Sequence, residues 1–267
     1  MISLTASNRE SANSRIAIVL ARGASKRIPG KNYRILGGKP LISWIIESIS
    51  SSECFSKILV STDSKRIAAI AKREKAWVPF FRPPNLSTDS ATSLDALIHA
   101  VEWVIENGQI ETPEVIGLFQ PTSPFLSSKH IGEAIALFEE MNFTSMSSVC
   151  PVKERPEWMF HVTPSGEPAK TSPSGRLAGT PPSLGGRATP LHPDKLTLPT
   201  DILPKLYREN GALFLVKTKH LLSSRSLYHL KKHGSYIMPV SDSIDIDTPD
   251  DWLLAETIIG NREKIKK

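Results

Sequence analysis

The sequence predicts an α/β layer built on a mainly parallel sheet flanked by helices, and three observations predict it. Short apolar runs at 16–20, 57–61, 77–80 and 115–119 alternate with longer segments of helical period, the pattern of βαβ units. Those longer segments carry helix caps and stops at their ends. At 267 residues the chain is also long enough to bury one substantial core, with a small appendage besides.

Ile16-Ala17-Ile18-Val19-Leu20 reads as a buried first strand. Residues 40–49 read as a helix with Leu41, Trp44, Ile45 and Ile49 inward and Pro40 in its first turn. The clearest helix is 94–106, where Leu94, Leu97, Ile98 and Val101 share one stripe, Thr92 or Ser93 suits the cap and Gly108 the end. Another begins near Ser127 or Ser128, with Ile131, Ile135, Phe138 and Met141 inward. Gly211 to Val216 reads as a strand. Thr248-Pro249-Asp250-Asp251 opens a last helix with a cap, an N1 proline and an acidic first turn. One region breaks the pattern: 163–204 is crowded with Pro, Gly, Ser and Thr and reads as a long mobile loop inserted between sheet segments. The expected organisation is a tail at 1–14, one domain at 15–262 with an insert at about 151–206, and a tail at 263–267.

A formal net charge of +6 and a pI near 9.3 raise the question of nucleic acid, but the basic residues are dispersed and no aromatic-interleaved basic stripe occurs. An anionic small substrate accounts for the charge instead. No 18-residue apolar run exists, which argues against a membrane span, and residues 1–14 are polar with no apolar core of a signal peptide. Cys54 and Cys150 lack partners at ligand spacing and read as buried free thiols, in keeping with a reducing, cytoplasmic setting.

Chemistry concentrates at the ends of the apolar runs, where open α/β sheets bind ligands. After the first strand come small residues at 23–25, which let backbone N–H groups approach an anion, and the cations Arg22, Lys26, Arg27 and Lys31. The favoured ligand is a polyphosphate, although the spacing matches neither GxxxxGK[ST] nor GxGxxG. Asp245 and Asp247 alternate with Ile244 and Ile246, so an extended backbone puts both carboxylates on one side, roughly 7 Å apart at their Cα atoms. Such a pair brackets one hard cation together with phosphate oxygens and water. Asp247 also suits the entry to the helix that Thr248 caps.

Several segments together resemble the acylneuraminate cytidylyltransferases, the CMP-sialic acid synthetases, from about residue 15 to about 260. The family's LARGGSKGIPLKN loop is met by Leu20 to Asn32, its VSTD by Val60 to Asp63, its DSSTSLDA by Asp89 to Ala96 and its YxNGA strand by Tyr207 to Ala212. The wording is most similar to the catalytic domain of the animal enzymes. The resemblance implies a Rossmann-like fold of the nucleotide-diphospho-sugar-transferase type and transfer of CMP from CTP to the anomeric hydroxyl of N-acetylneuraminate or a related acidic nine-carbon sugar, with release of pyrophosphate. Alternatives are a cytidylyltransferase for another ulosonic acid, such as pseudaminic or legionaminic acid, and a catalytically impaired nucleotide-binding protein.

Under that resemblance Arg22 and Lys26 meet the β- and γ-phosphates, helped by the N–H groups of Gly23, Ala24 and Ser25, while Lys31 and Asn32 close over the nucleotide. Arg82 and Ser93 fall at nucleotide-binding positions, and Ala91 replaces a hydroxyl of the animal enzymes. Gln120, with Thr122 and Ser123 of the same segment, and Tyr207 and Asn210 fall on the sugar side; Asn210-Gly211 equally suits a tight turn. Asp245 and Asp247 match the metal site for Mg²⁺ or Mn²⁺. The family's inserted extension contributes to a homodimer and to the acceptor site, and its animal members allow a nuclear location. The family often has an Arg-Arg-Gln-Asp run where this chain reads Leu198-Pro199-Thr200-Asp201, without a basic residue.

Overall fold

The computed structural model describes residue 12 and residues 14–164 and 186–265. The expected tail at 1–14 and the middle of the insert fall mostly outside the described residues, whereas of the tail expected at 263–267 the first three residues continue the last helix.

The strands are β1 (Arg15–Leu20), β2 (Ile35–Leu36), β3 (Lys39–Pro40), β4 (Lys57–Ser61), β5 (Val115–Phe119), β6 (Ser145–Pro151), β7 (Phe160–Pro164), β8 (Gly186–Pro190), β9 (Tyr207–Lys217) and β10 (His233–Ile237). The helices are α1 (Leu41–Ser52), α2 (Lys65–Arg73), α3 (Ser93–Asn107), α4 (Ser128–Glu140), α5 (Thr218–Ser224) and α6 (Pro249–Ile265). A six-stranded sheet runs in the order β10-β6-β9-β5-β1-β4. Here β1 is parallel to both β4 and β5, β10 is parallel to β6, and β9 is antiparallel to β5.

The central strand is buried on both faces, which explains its unbroken apolar sequence. Ala17 and Val19 join Ile42, Ile45, Ile49, Ile131 and Phe138 on one side, while Ile16 and Ile18 join Leu97, Ile98 and Val101 on the other. A third cluster packs Ile28, Leu36 and Leu41 against Ile246, Trp252 and Ile259 and so fastens α6 to the loop after β1.

The expected helices form with the caps their sequences offer. Thr92 accepts from Asp95 N and opens α3, Gly108 ends it at φ 59°, and Ser127 opens α4. Three expectations are corrected. Residues 77–80 form no strand: Trp77 makes an isolated bridge with Leu59, and just past the run Phe81 makes another with Thr62, because Pro79 between them has no N–H to continue a ladder. The loop expected from Thr163 is partly strand: β7 and β8 pair antiparallel, with Val162 opposite Ala188 and Thr163 opposite Arg187. Asn210-Gly211 is no tight turn but lies within β9, with Gly211 at φ 70°.

Contacts divide the chain into one unit of residues up to Cys150 with those from Glu209 onward, and a second unit, Pro151–Arg208. The first holds the sheet. The second contains the β7–β8 hairpin and short 3-10 turns at Pro156–Trp158 and Thr200–Ile202. Within it Arg155 pairs with Glu157 and donates to the Pro204 carbonyl at 2.8 Å. Its Trp158, Met159, Phe160 and Val162 are exposed.

Candidate active site

The chain leaves β1 through Ala21, whose N–H donates to the Ser61 carbonyl at 3.1 Å, and opens into the basic loop. Arg22 bonds one oxygen of Asp89 at 2.8 Å and the Thr88 carbonyl at 3.3 Å; Lys26 bonds the other Asp89 oxygen at 2.6 Å. The Gly23 N–H donates to Asp63 at 2.7 Å. A Cβ at Gly23 would lie 2.9 Å from the Ser64 Cβ, so this approach needs glycine. In the same loop Ala24 is exposed and Ser25 half-buried.

Lys31 turns inward. Its Nζ donates to the Ile246 carbonyl at 2.7 Å and to Asp247 at 3.0 Å, and Arg27 lies 3.5 Å from the other Asp247 oxygen. Asn32 donates to the Arg22 carbonyl at 2.9 Å, fixing the root of that side chain, while its Oδ1 is buried without a partner.

Arg82 is 7% exposed. Its Nε donates to Ser61 Oγ at 3.0 Å and its Nη2 to the Ser61 carbonyl, while its own backbone N–H reaches the Thr62 carbonyl at 2.8 Å. Burial, opposed by Asp63 and reinforced by Arg22, lowers its pKa to about 10, which leaves it a cation at neutral pH.

Below the end of β5, the Thr122 backbone carbonyl accepts from Ile246 N at 2.8 Å, and the Thr122 side chain sits beside the Asp245 carboxylate. Asp245 Oδ1 and Ser123 Oγ are buried without partners. Burial first, and then the charge of Asp247, push the Asp245 carboxyl up from its ordinary range. A Cβ at Gly211 would lie 3.8 Å from Gln120 Nε2 and 3.9 Å from Asp245 Oδ2, so amide and carboxylate both border the space beside that glycine. Ile246 is fully buried and Asp247 exposed; the segment belongs to no strand.

One cavity is lined by Arg22, Lys31, Asn32, Arg82, Ser93, Gln120 and Thr122 together with Leu20, Leu86, Thr88, Asp89 and Ala91. It thus gathers seven of the expected site residues. Lys26 reaches its rim through Asp89, and Asp245 adjoins it through Thr122. Thr92, not Ser93, is the helix cap. Two expected sugar-side residues are placed differently. The Asn210 Oδ1 accepts from Ser148 Oγ at 2.6 Å and its Nδ2 donates to Ser243 Oγ at 2.9 Å, so the buried amide clamps β9 to its neighbours. Tyr207 is exposed and belongs to the second unit.

A family model described as cytidylyltransferase matches residues 16–160, a span that includes the basic loop, Arg82 and Gln120. The chain belongs to the cytidylyltransferase family. It is 32% identical to a CMP-N,N'-diacetyllegionaminic acid synthase of Legionella pneumophila over 91% of this chain and 95% of that protein. It is also 32% identical to N-acylneuraminate cytidylyltransferase A of Danio rerio, over 90% of this chain but 49% of that one. The chain therefore spans about half of the fish relative. The fold matches a solved CMP:2-keto-3-deoxy-manno-octonic acid synthetase complexed with CTP at a TM-score of 0.63 and 13% identity, covering 93% of this chain and 99% of that one. The chain is accordingly a nucleotidyltransferase, and no helix among the described residues is long and apolar enough to cross a membrane.

Asp63, Asp89 and Ser61, which hold Gly23, the Arg22–Lys26 pair and Arg82, were not singled out by the sequence. A signal was present: a loop with four cations next to a buried arginine needs carboxylates and carbonyls from neighbouring strand ends. Among the described residues there is no cluster of three or more His, Cys, Asp or Glu that could hold a metal. The Asp245–Asp247 pair, with one buried carboxylate oxygen lacking a partner, fits a cation that takes its remaining ligands from phosphate and water.

Proposed function

We propose that this chain transfers CMP from CTP to the anomeric hydroxyl of an acylneuraminate, N-acetylneuraminate or a close relative, and releases pyrophosphate. The observation that carries the reading is the cavity in which the basic loop, buried Arg82 and the Gln120–Thr122 segment meet. In such a reaction the sugar oxygen attacks the α-phosphorus, the bond to the β-phosphate oxygen breaks, and that oxygen leaves with the pyrophosphate. Arg22 and Lys26 neutralise the departing charge, a contact that strengthens as the bond breaks. Arg82, immobilised by Ser61, presents its remaining donors to the base or ribose. Gln120 offers a donor and an acceptor to a sugar hydroxyl or N-acyl group. Lys31 ties the basic loop to Asp247 and keeps both halves of the site in register. Asp245 and Asp247 would hold Mg²⁺ or Mn²⁺, which supplies charge neutralisation of the triphosphate when bound.

A second reading, activation of a legionaminic acid, is favoured by the match to nearly the full length of the Legionella protein. Pyrophosphate release with CTP, Mg²⁺ and a panel of N-acetylneuraminic, legionaminic and pseudaminic acids tests both. Turnover highest with N-acetylneuraminate supports the first reading, turnover confined to legionaminic acid supports the second, and no release with any of them rejects both.

A homodimer formed through Pro151–Arg208 is part of the proposal, supported by the exposed Trp158, Met159, Phe160 and Val162 of that unit. Light scattering that gives a monomer at assay concentration would reject it. A cytoplasmic setting is supported by the two buried free thiols, Cys54 and Cys150.

A further inference from the structure

Arg22 and Lys26, the cations assigned to the triphosphate, already carry an anion. Asp89 gives one carboxylate oxygen to each, at 2.8 and 2.6 Å, and the adjoining Thr88 carbonyl accepts from Arg22 as well. A carboxylate that presents two oxygens to two cations imitates two oxygens of a phosphate group. It is presented by a shaped segment: Thr88 Oγ1 lies 3.1 Å from Ser90 Oγ and accepts from Ala91 N at 3.2 Å, and Thr92 then caps α3. Thr88 and Asp89 line the same cavity as Arg82 and Gln120. Hydrogen bonds from Lys26 and then Arg22 hold the Asp89 carboxyl below its ordinary range, so it is ionised at neutral pH. The side chains of Arg22, Asp89 and Lys26 are 36%, 50% and 80% exposed, so exchanging one partner for another costs little.

We propose that Asp89 is a built-in stand-in for the substrate's phosphates, occupying the Arg22–Lys26 site in the empty protein and giving way to phosphate oxygens when a polyphosphate enters. The inference rests on the reading that Arg22 and Lys26 are phosphate ligands. Two effects follow. The cations are held together and aimed before substrate arrives, and the affinity for triphosphate and for the pyrophosphate product is lowered by the fraction of molecules in which Asp89 is in place. Asp89 thereby exchanges tight binding for easier product release.

Calorimetric titration of inorganic pyrophosphate into metal-free protein at low salt tests this with the wild type, Asp89→Asn, Asp89→Ala and Arg22→Ala. Both Asp89 variants replace a half-exposed side chain outside the core and keep the fold. Each is expected to bind pyrophosphate about 3- to 10-fold more tightly than the wild type, with the gain shrinking as salt screens the loop. Arg22→Ala is expected to bind more weakly. Affinity in the Asp89 variants equal to or below that of the wild type, with Arg22→Ala still weakened, would overturn the stand-in and leave the phosphate assignment in place. Unchanged binding in Arg22→Ala would overturn both.

Discussion

Arg22 and Lys26 at the rim of the cavity share a solvent-facing carboxylate, whereas Arg82 in its wall and Asp245 behind Thr122 are largely withdrawn from water. Under the proposed function the two regions do the same kind of work, placing charge next to a nucleotide, under opposite physical conditions. At the rim, charges are paired with one another and screened, so partners exchange at low cost. In the interior, Arg82 is fixed by Ser61 and Asp245 has an oxygen with no partner, so position is kept while solvation is given up. Rim residues should therefore affect activity without stability, and interior residues both.

The largest effect is expected from Asp245→Asn. It should lower Mg²⁺-supported turnover on the order of 10²-fold or more by removing a charge at nearly constant volume. It should also raise Tm at neutral pH in the presence of chelator. Because the folded pKa of Asp245 is raised, its stabilising contribution is complete below the unfolded value and is lost as pH rises through the folded one. The Tm gain of the variant should therefore shrink as pH falls toward the ordinary aspartate value of about 3.9. A Tm difference that does not change with pH would contradict the interior half of the comparison.

Arg22→Ala should cost about 2–4 kcal/mol in transition-state stabilisation, read as kcat/KM for CTP, while stability changes by less than about 0.5 kcal/mol. A matching loss of stability would erase the distinction between rim and interior. Arg82→Ala should lose both, with about 1–3 kcal/mol of stability from the abandoned hydrogen bonds at Ser61, measured by urea unfolding beside the assay. The smallest effect is expected from Ser61→Ala, about 1 kcal/mol in kcat/KM. That variant removes one of the bonds orienting Arg82 and keeps the carbonyl that accepts the other.

The same contrast governs what could be read from sequence. The basic loop and the Asp245–Asp247 alternation stand out because charge after an apolar run is a local signal. The strands β1, β4 and β5 stand out because burial on both faces leaves no polar residue in their middles. By contrast β6 carries no such signal: its Ser145, Ser147 and Ser148 are polar, yet all are buried and satisfied by His233 and Asn210 from other strands. The contacts of Asn210 are hidden from the sequence for the same reason, since its partners Ser148 and Ser243 are brought to it by the fold. Ser61 and Asp89 belonged to quoted segments, but their roles exist only once β4 and the segment before α3 lie beside the basic loop. Propensity and period see neighbours along the chain; partners across the sheet are outside their reach.

The cluster of Ile28, Leu36 and Leu41 with Ile246, Trp252 and Ile259 also bears on when the site comes into being. Lys31 and Asp247 are 216 positions apart, so their pairing closes almost the whole length of the domain and is among the costliest contacts to form early. Gly37, at φ 52°, would place a Cβ 2.7 Å from Ile259, so α6 seats against a backbone that only glycine leaves open there. The carboxylate half of the site is therefore complete only once α6 and the segment before it have docked on the loop after β1.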